Sequence, residues 1–260
     1  MAVIGLLVPA TALALGLRSR RRHAPGTTAM AVPVSRASTG APQIGALYPN
    51  GSTAVHDCTA SVVSSAQGNT LVTAAHCVSG DGRGMVFVPA EHAGGAPFGR
   101  WTVTAAYLPQ PWVTRQDPDE DVAFLTVAPR TIGGRRTEIE QVTGAYGLGL
   151  VARRGERVTV TGYPRGTSND PITCTAAIRM TDEFPTFDCH GYVGGTSGSP
   201  WVLQTAHGPR IVGVIGGLNQ GGCVEYTSYS SPLSGALSTY RRALSGAAAD
   251  TAPAPRGDGC

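Results

Sequence analysis

Gly194-Gly195-Thr196-Ser197-Gly198-Ser199-Pro200 is the stretch that decides how this chain is read. Glycines on both sides of a serine permit a tight backbone that exposes the hydroxyl and aims neighbouring N–H groups at one point. A second segment, Leu71-Val72-Thr73-Ala74-Ala75-His76-Cys77, ends a run of strand formers in two alanines and a histidine. Small residues let the backbone pass close to other elements, so the imidazole can be held at the edge of a cleft. A third, Asp117-Pro118-Asp119-Glu120-Asp121-Val122-Ala123-Phe124-Leu125, sets Asp121 directly before an apolar run, where its carboxylate would be drawn partly out of water. Taken singly, each has an ordinary structural reading: a satisfied histidine at a strand end, a solvated acidic turn, a Gly/Ser loop. Their joint occurrence in the order His, Asp, Ser points to a nucleophilic site.

The surrounding composition fits a strand-rich fold. The chain has 260 residues and a mass of 26.7 kDa, enough for one large domain or two smaller cores. Hydrophobic residues make up 42% and charged residues 14%, while 35 Gly and 19 Pro together supply about a fifth of the chain. This excludes long charged helices and favours short strands joined by many turns. Such runs occur at Gln43–Tyr48, Cys58–Ser64, Thr70–Thr73, Met85–Val88, Trp101–Leu108 and Val122–Val127. After a Gly/Arg-rich break near Gly133–Arg136 they resume at Val158–Tyr163, Ile172–Ile178, Trp201–Gln204, Ile211–Ile215 and Glu225–Ser230. One helix is expected near the end, opened by Pro232, with Leu233, Leu237, Tyr240 and Leu244 at helical spacing.

The formal charge of +3 comes from the N-terminal segment. Arg18, Arg20, Arg21, Arg22 and Arg36 lie in the first 40 residues, which hold no acid; without them 15 basic residues face 17 acidic ones, a net of −2. A nucleic-acid partner would need a basic face that this body lacks. Val3–Leu17 is apolar and carries an Ala12-Leu13-Ala14 triplet, as a secretory leader would. It reads as a signal segment whose start lies upstream or as an uncleaved anchor; export is favoured because so short a stretch barely spans a bilayer. Ala24–Pro42 is a linker or pro-segment by composition, and Gly246–Cys260 a small-residue flexible tail. The tail contains Arg256-Gly257-Asp258, an adhesion tripeptide that three common residues spell easily by chance.

Six cysteines in an exported chain suggest disulfides. Cys58 and Cys77 bracket a strand, a turn and a second strand, and Cys174 and Cys189 flank a similar excursion. Cys223 and Cys260 remain, either paired or with one of them free. Zinc is disfavoured, since no two cysteines stand at C-x2-C spacing.

Thr73–Cys77, Asp121–Leu125 and Gly195–Pro200 resemble the three signature segments of the chymotrypsin-like (trypsin-fold) serine proteases. The last segment and Gln43–Leu47 are closer to bacterial secreted members, including the glutamyl-endopeptidase branch. The likeness spans about residues 41–245. It implies an all-β fold of two six-stranded antiparallel β-barrels with a C-terminal helix. The expected organisation is a leader and pro-segment over 1–40, barrels over 41–135 and 136–245, and the tail over 246–260. It further implies Ser197 as nucleophile, His76 as general base, Asp121 as its orienting carboxylate, and the N–H groups of Gly195 and Ser197 as the oxyanion hole. It supports Cys58–Cys77 as the bridge around the histidine loop. Tyr192, Gly216, Gly217 and Thr227 are expected to line the specificity pocket, and Gly216–Leu218 to offer backbone hydrogen bonds to an extended substrate. The partner is a protein or peptide; no nucleic acid, cofactor or metal is implied, and the expected state is an extracellular monomer.

Several positions depart from trypsin. Thr196 stands where an Asp receives the freed N-terminus, and no Ile-Val-Gly-Gly start is present, so activation should need no more than leader removal. Gly191 stands where trypsin carries its pocket Asp, and Asp188, three residues further back, is no substitute. Val212–Gly217 lacks the His of glutamyl endopeptidases, so neither pocket is reproduced; Glu225 is near enough in sequence to favour basic side chains. An α/β-hydrolase is rejected because it needs Gly-x-Ser-x-Gly before a helix and the order Ser, acid, His. A catalytically silent binding or adhesion module and a serine esterase on the same fold are the remaining alternatives.

Overall fold

The computed structural model describes residues 1, 2, 5, 31–50, 52, 54–166 and 170–260. The expected leader and the Arg18–Arg22 cluster fall almost entirely outside the described residues. The chain divides into Met1–Ala31 and Val32–Cys260, and the account below concerns the second unit. No helix among the described residues is long and apolar enough to cross a membrane.

After a short strand β1 (Arg36–Ala37), six strands close into a barrel: β2 (Ile44–Tyr48), β3 (Cys58–Val62), β4 (Thr70–Thr73), β5 (Val86–Pro89), β6 (Trp101–Tyr107) and β7 (Ala123–Val127). They pair around the ring as β2-β3-β4-β7-β6-β5. All six coincide with apolar runs visible in the sequence. β2, β3, β4 and β7 are buried at every position, whereas β6 alternates at its start, with Trp101 and Val103 inward and Thr102 and Thr104 outward. Leu47, Ala60, Leu71, Phe87, Trp101 and Leu125 fill the interior. Each large apolar side chain buried here contributes about 1.5–3 kcal/mol. Between β6 and β7 lies α1 (Gln110–Arg115); it was not foreseen, because Pro111 and Thr114 interrupt any helical pattern. A hairpin of β8 (Arg130–Ile132) and β9 (Arg135–Thr137) turns at Gly133-Gly134, both with positive φ. α2 (Ile139–Thr143) follows, opened by a capping box between Glu138 and Gln141.

The second half contains β10 (Gly147–Leu148), β11 (Arg157–Gly162), β12 (Ile172–Ala177), β13 (Arg179–Thr181), β14 (Phe184–Asp188), β15 (Pro200–Thr205), β16 (Gly208–Val214) and β17 (Thr227–Tyr229), then α3 (Leu237–Ser245). The expected second six-stranded ring is assembled differently from the first. One sheet runs β1-β12-β11-β15-β16-β10, with β10 parallel to β16, and a second runs β13-β14-β17. The two wrap around Val158, Val160, Phe187, Trp201, Val212 and Ile215. On one side the chain bends from β12 into β13 at Ile178. On the other, single hydrogen bonds replace a ladder: Gly216 N–H to Tyr229 O at 3.0 Å, and Val214 N–H to Ser230 Oγ at 3.0 Å. The halves pack through Val72, Tyr107 and Phe124 of the first against Ile211, Val214 and Leu233 of the second. α3 starts five residues beyond Pro232, because Leu233–Ala236 forms turns that already bury Leu233.

Three pairings are present: Cys58–Cys77, Cys174–Cys189 and Cys223–Cys260. Both ends of the folded unit differ from expectation. Residues 33–37, assigned to the linker, pair with β12 and with His190. The tail after α3 is not free. Asp250 takes hydrogen bonds from Leu108 N–H and Arg242, Ala252 N–H donates to Gly80 O, and Cys260 is bonded to the second half.

Candidate active site

His76 sits where β4 gives way to a 3-10 turn, Ala75–Cys77, that Cys58 anchors through its disulfide. Ala74 and Ala75 are fully buried, which brings the turn down onto the second half. Asp121 ends a short turn before β7, and its side chain has no exposed surface. Three donors offset that burial: His76 N–H to Oδ1 at 2.9 Å, His76 Nδ1–H to Oδ2 at 2.8 Å and Gly217 N–H to Oδ2 at 2.8 Å. With Nδ1 committed as donor, Nε2 is left as the basic nitrogen on the cleft side. Asp121 N–H donates to Ser231 Oγ, which itself donates to Pro118 O, so the carboxylate is braced from behind. Asp117 is spent on Arg115 and on Asp119 N–H.

Ser197 lies in a loop between β14 and β15, on the wall of the same cleft as His76. Gly195 and Gly198 have φ of +96° and +80°. A Cβ on Gly195 would come within 2.5 Å of Arg165 N, and one on Gly198 within 2.2 Å of Thr59 O, so neither position admits a side chain. Among the described residues, the Ser197 hydroxyl and the N–H groups of Gly195 and Ser197 have no acceptor, which leaves all three available to a ligand. Thr196 is satisfied within the loop, with its N–H and hydroxyl both on Val193 O. Ser199 is buried and donates to Thr196 O.

Thr59 of β3 ties this loop to the first barrel, and nothing in the sequence marked it. Its N–H donates to Ser197 O at 2.7 Å, and its hydroxyl donates to Gly195 O while accepting from Tyr163 N–H. His56 was set aside in the sequence; it is fully buried behind Gly195 and pairs with Tyr163 O. His92 and His190 face Asp170 and Glu225.

The cleft measures about 630 Å³. Tyr192 lies along it, but its ring packs on Phe187 and its hydroxyl donates to Val160 O; burial pushes its pKa up. Gly216 and Gly217 lie instead behind Asp121, and their N–H groups are spent on Tyr229 O and Asp121. Thr227 turns its hydroxyl to Asp188, leaving Gly221–Glu225 and Ser228 on the cleft. The register of β17 on β14 accounts for this exchange, since it sets Thr227 opposite Asp188 and Ser228 opposite Phe187. Glu225 lines the cleft but commits both oxygens, one to His190 Nδ1–H and one to Gly191 N–H. The Gly191 bond, then His190, holds its carboxyl below the usual range. Among the described residues, the one His/Cys group close enough to hold an ion, Cys58, His76 and Cys77, has both its sulfurs bonded to each other.

Residues 58–214 match the trypsin-like peptidase domain. The chain belongs to that family. Among solved structures, this peptidase is similar to the protease Anisep from Arthrobacter nicotinovorans, at 26% identity and a TM-score of 0.68, over 82% of this chain and all of that one. It is similar also to AL20, a thermostable serine protease from an extremophilic microorganism, at 26% identity and a TM-score of 0.65, over 80% of this chain and 99% of that one. A Glu endopeptidase shares the fold at 18% identity and a TM-score of 0.62, over 82% and 97% of the two chains. No curated protein matches significantly. The family and these likenesses support a serine protease.

Proposed function

We propose that this peptidase is an exported serine endopeptidase that works through His76, Asp121 and Ser197. Ser197 Oγ attacks the scissile carbonyl while His76 Nε2 takes the hydroxyl proton and passes it to the leaving amine. Water then enters by the same route in reverse and releases the acyl group. Asp121 fixes the ring tautomer and stabilises the imidazolium. The N–H groups of Gly195 and Ser197 receive the oxyanion. The observation that carries the reading is the Nδ1–Asp121 bond, which leaves Nε2 basic in the cleft where Ser197 and two unspent N–H donors stand. Three disulfides support an extracellular setting.

Labelling with a phosphonofluoridate tests it: native protein should be modified at Ser197, and Ser197→Ala should not. Native protein that stays unlabelled after leader removal would overturn the enzyme reading. Comparison of amide with ester turnover separates a peptidase from an esterase.

A further inference from the structure

The chain after α3 travels a path that its composition gave no reason to expect. It crosses the first barrel, where Ala252 packs against the core, and passes the His76 turn. Only about 20 Å³ of space separates Pro253 and Pro255 from Ala75, His76 and Val78, little more than one water needs. Both halves hold it. Gln116, at the end of α1, donates to Ala254 O and accepts from Arg256 N–H, while Gln220 of the 218–221 loop donates to Arg256 O. Cys260 then closes the strap covalently onto Cys223, in the loop that borders the cleft. Pro255 and Asp258 stand among the residues that line the cleft with His76 and Ser197.

The charges along that lining single out one group. Asp57 is paired with Arg165 at 2.7 Å, and Glu225 is occupied by His190 and Gly191. Asp258 uses Oδ1 to accept from Cys260 N–H, and no cation faces its carboxylate among the described residues. Arg256, two residues away, directs its guanidinium to Arg115 O instead.

We infer that residues 253–258 are a disulfide-latched wall of the substrate cleft, and that Asp258 selects a basic substrate side chain there. The inference rests on the peptidase reading and names its substrate class. Asp258 enters the same cleft as Gly221–Glu225, but from the strap.

The test measures kcat/KM for paired peptides that carry Arg or Gln at each position flanking the scissile bond. At one position the wild type should prefer Arg, less so at high salt. Asp258→Asn should lower that Arg-to-Gln ratio by roughly threefold to tenfold. Asp258→Arg should invert it in favour of Gln. Cys260→Ser, which opens the latch without touching the carboxylate, should lower the ratio as Asp258→Asn does. Reaction with the phosphonofluoridate is followed in parallel on every variant, to confirm a folded site. A wild type that labels and cleaves Arg and Gln peptides equally at every position overturns the inference and leaves the peptidase reading standing. So does a ratio unmoved by Asp258→Asn and Asp258→Arg. Failure to label and to cleave at all removes the peptidase reading and this inference with it.

Discussion

Asp121 illustrates how much a single buried carboxylate arranges. It accepts from three donors at once, two on His76 and one on Gly217. An amide in its place offers one oxygen and a pair of N–H groups, so Asp121→Asn cannot serve all three donors, and the orientation that keeps the His76 N–H bond presents a donor to His76 Nδ1. The ring would then carry its proton on Nε2, where a base is needed. The expected outcome is a loss of ~10⁴-fold in kcat with little change in KM, as for the triad of related serine proteases, measured by steady-state kinetics. Thr59→Val acts through positioning. It leaves Tyr163 N–H and Gly195 O without a partner behind the nucleophile loop, at about 1–3 kcal/mol each. We expect a lower Tm and a fall in kcat that Thr59→Ser rescues. Glu225 gives a pH test. Its folded pKa lies below the ordinary value, so its contribution is complete above the unfolded carboxylate range and disappears as pH falls through the lowered pKa. Melting followed from pH 6 to pH 3 should show a shallower acid limb in Glu225→Gln. His76, Asp121 and Ser197 could be singled out in the sequence because their three segments occur together in the order His, Asp, Ser. Thr59 and His56 were not, because their roles exist only across the interface between halves.

At the scale of elements, hydrophobic patterning located most of what burial enforces, but missed the buried strand β14, whose apolar run is broken by Pro185 and Thr186. All six strands of the closed barrel fall on apolar runs, since a ring packed inside and covered outside leaves few polar positions. Elements at edges were missed for the complementary reason. β13 is Arg-Met-Thr, β1 is Arg-Ala, and α1 begins Gln-Pro, so none carries a periodic apolar face. Cys174–Cys189 closes the excursion from β12 to β14, with a separation of 15 residues. Replacing both with Ser should cost about 3 kcal/mol by loop entropy, read from chemical denaturation of the otherwise native enzyme. A loss confined to a few tenths of a kcal/mol would mean that β14 is held by its ladders to β13 and β17 alone.

For the molecule as a whole, the site is a property of both halves. His76 and Asp121 come from the first and Ser197 from the second. The joint is made by an apolar face and by the bonds of Thr59. The third disulfide spans that joint through the strap. Its separation of 37 residues predicts a contribution of roughly 3–4 kcal/mol by loop entropy. The double variant Cys223→Ser/Cys260→Ser should melt correspondingly earlier. It should also become cleavable by added protease near Thr251, while the body stays intact. Composition could not foretell this: Ala, Pro and Gly read as a loose end, and only the partner of Cys260 shows where that end goes.

The path of the strap also bears on how the protein is handled. Because Cys260 is bonded to Cys223 in the wall of the cleft, an affinity tag or carrier protein joined behind it would be tethered beside the opening and would shade it from bulky proteins. Small chromogenic peptides would still enter, so such a fusion would look healthy in a routine assay while losing its action on folded targets.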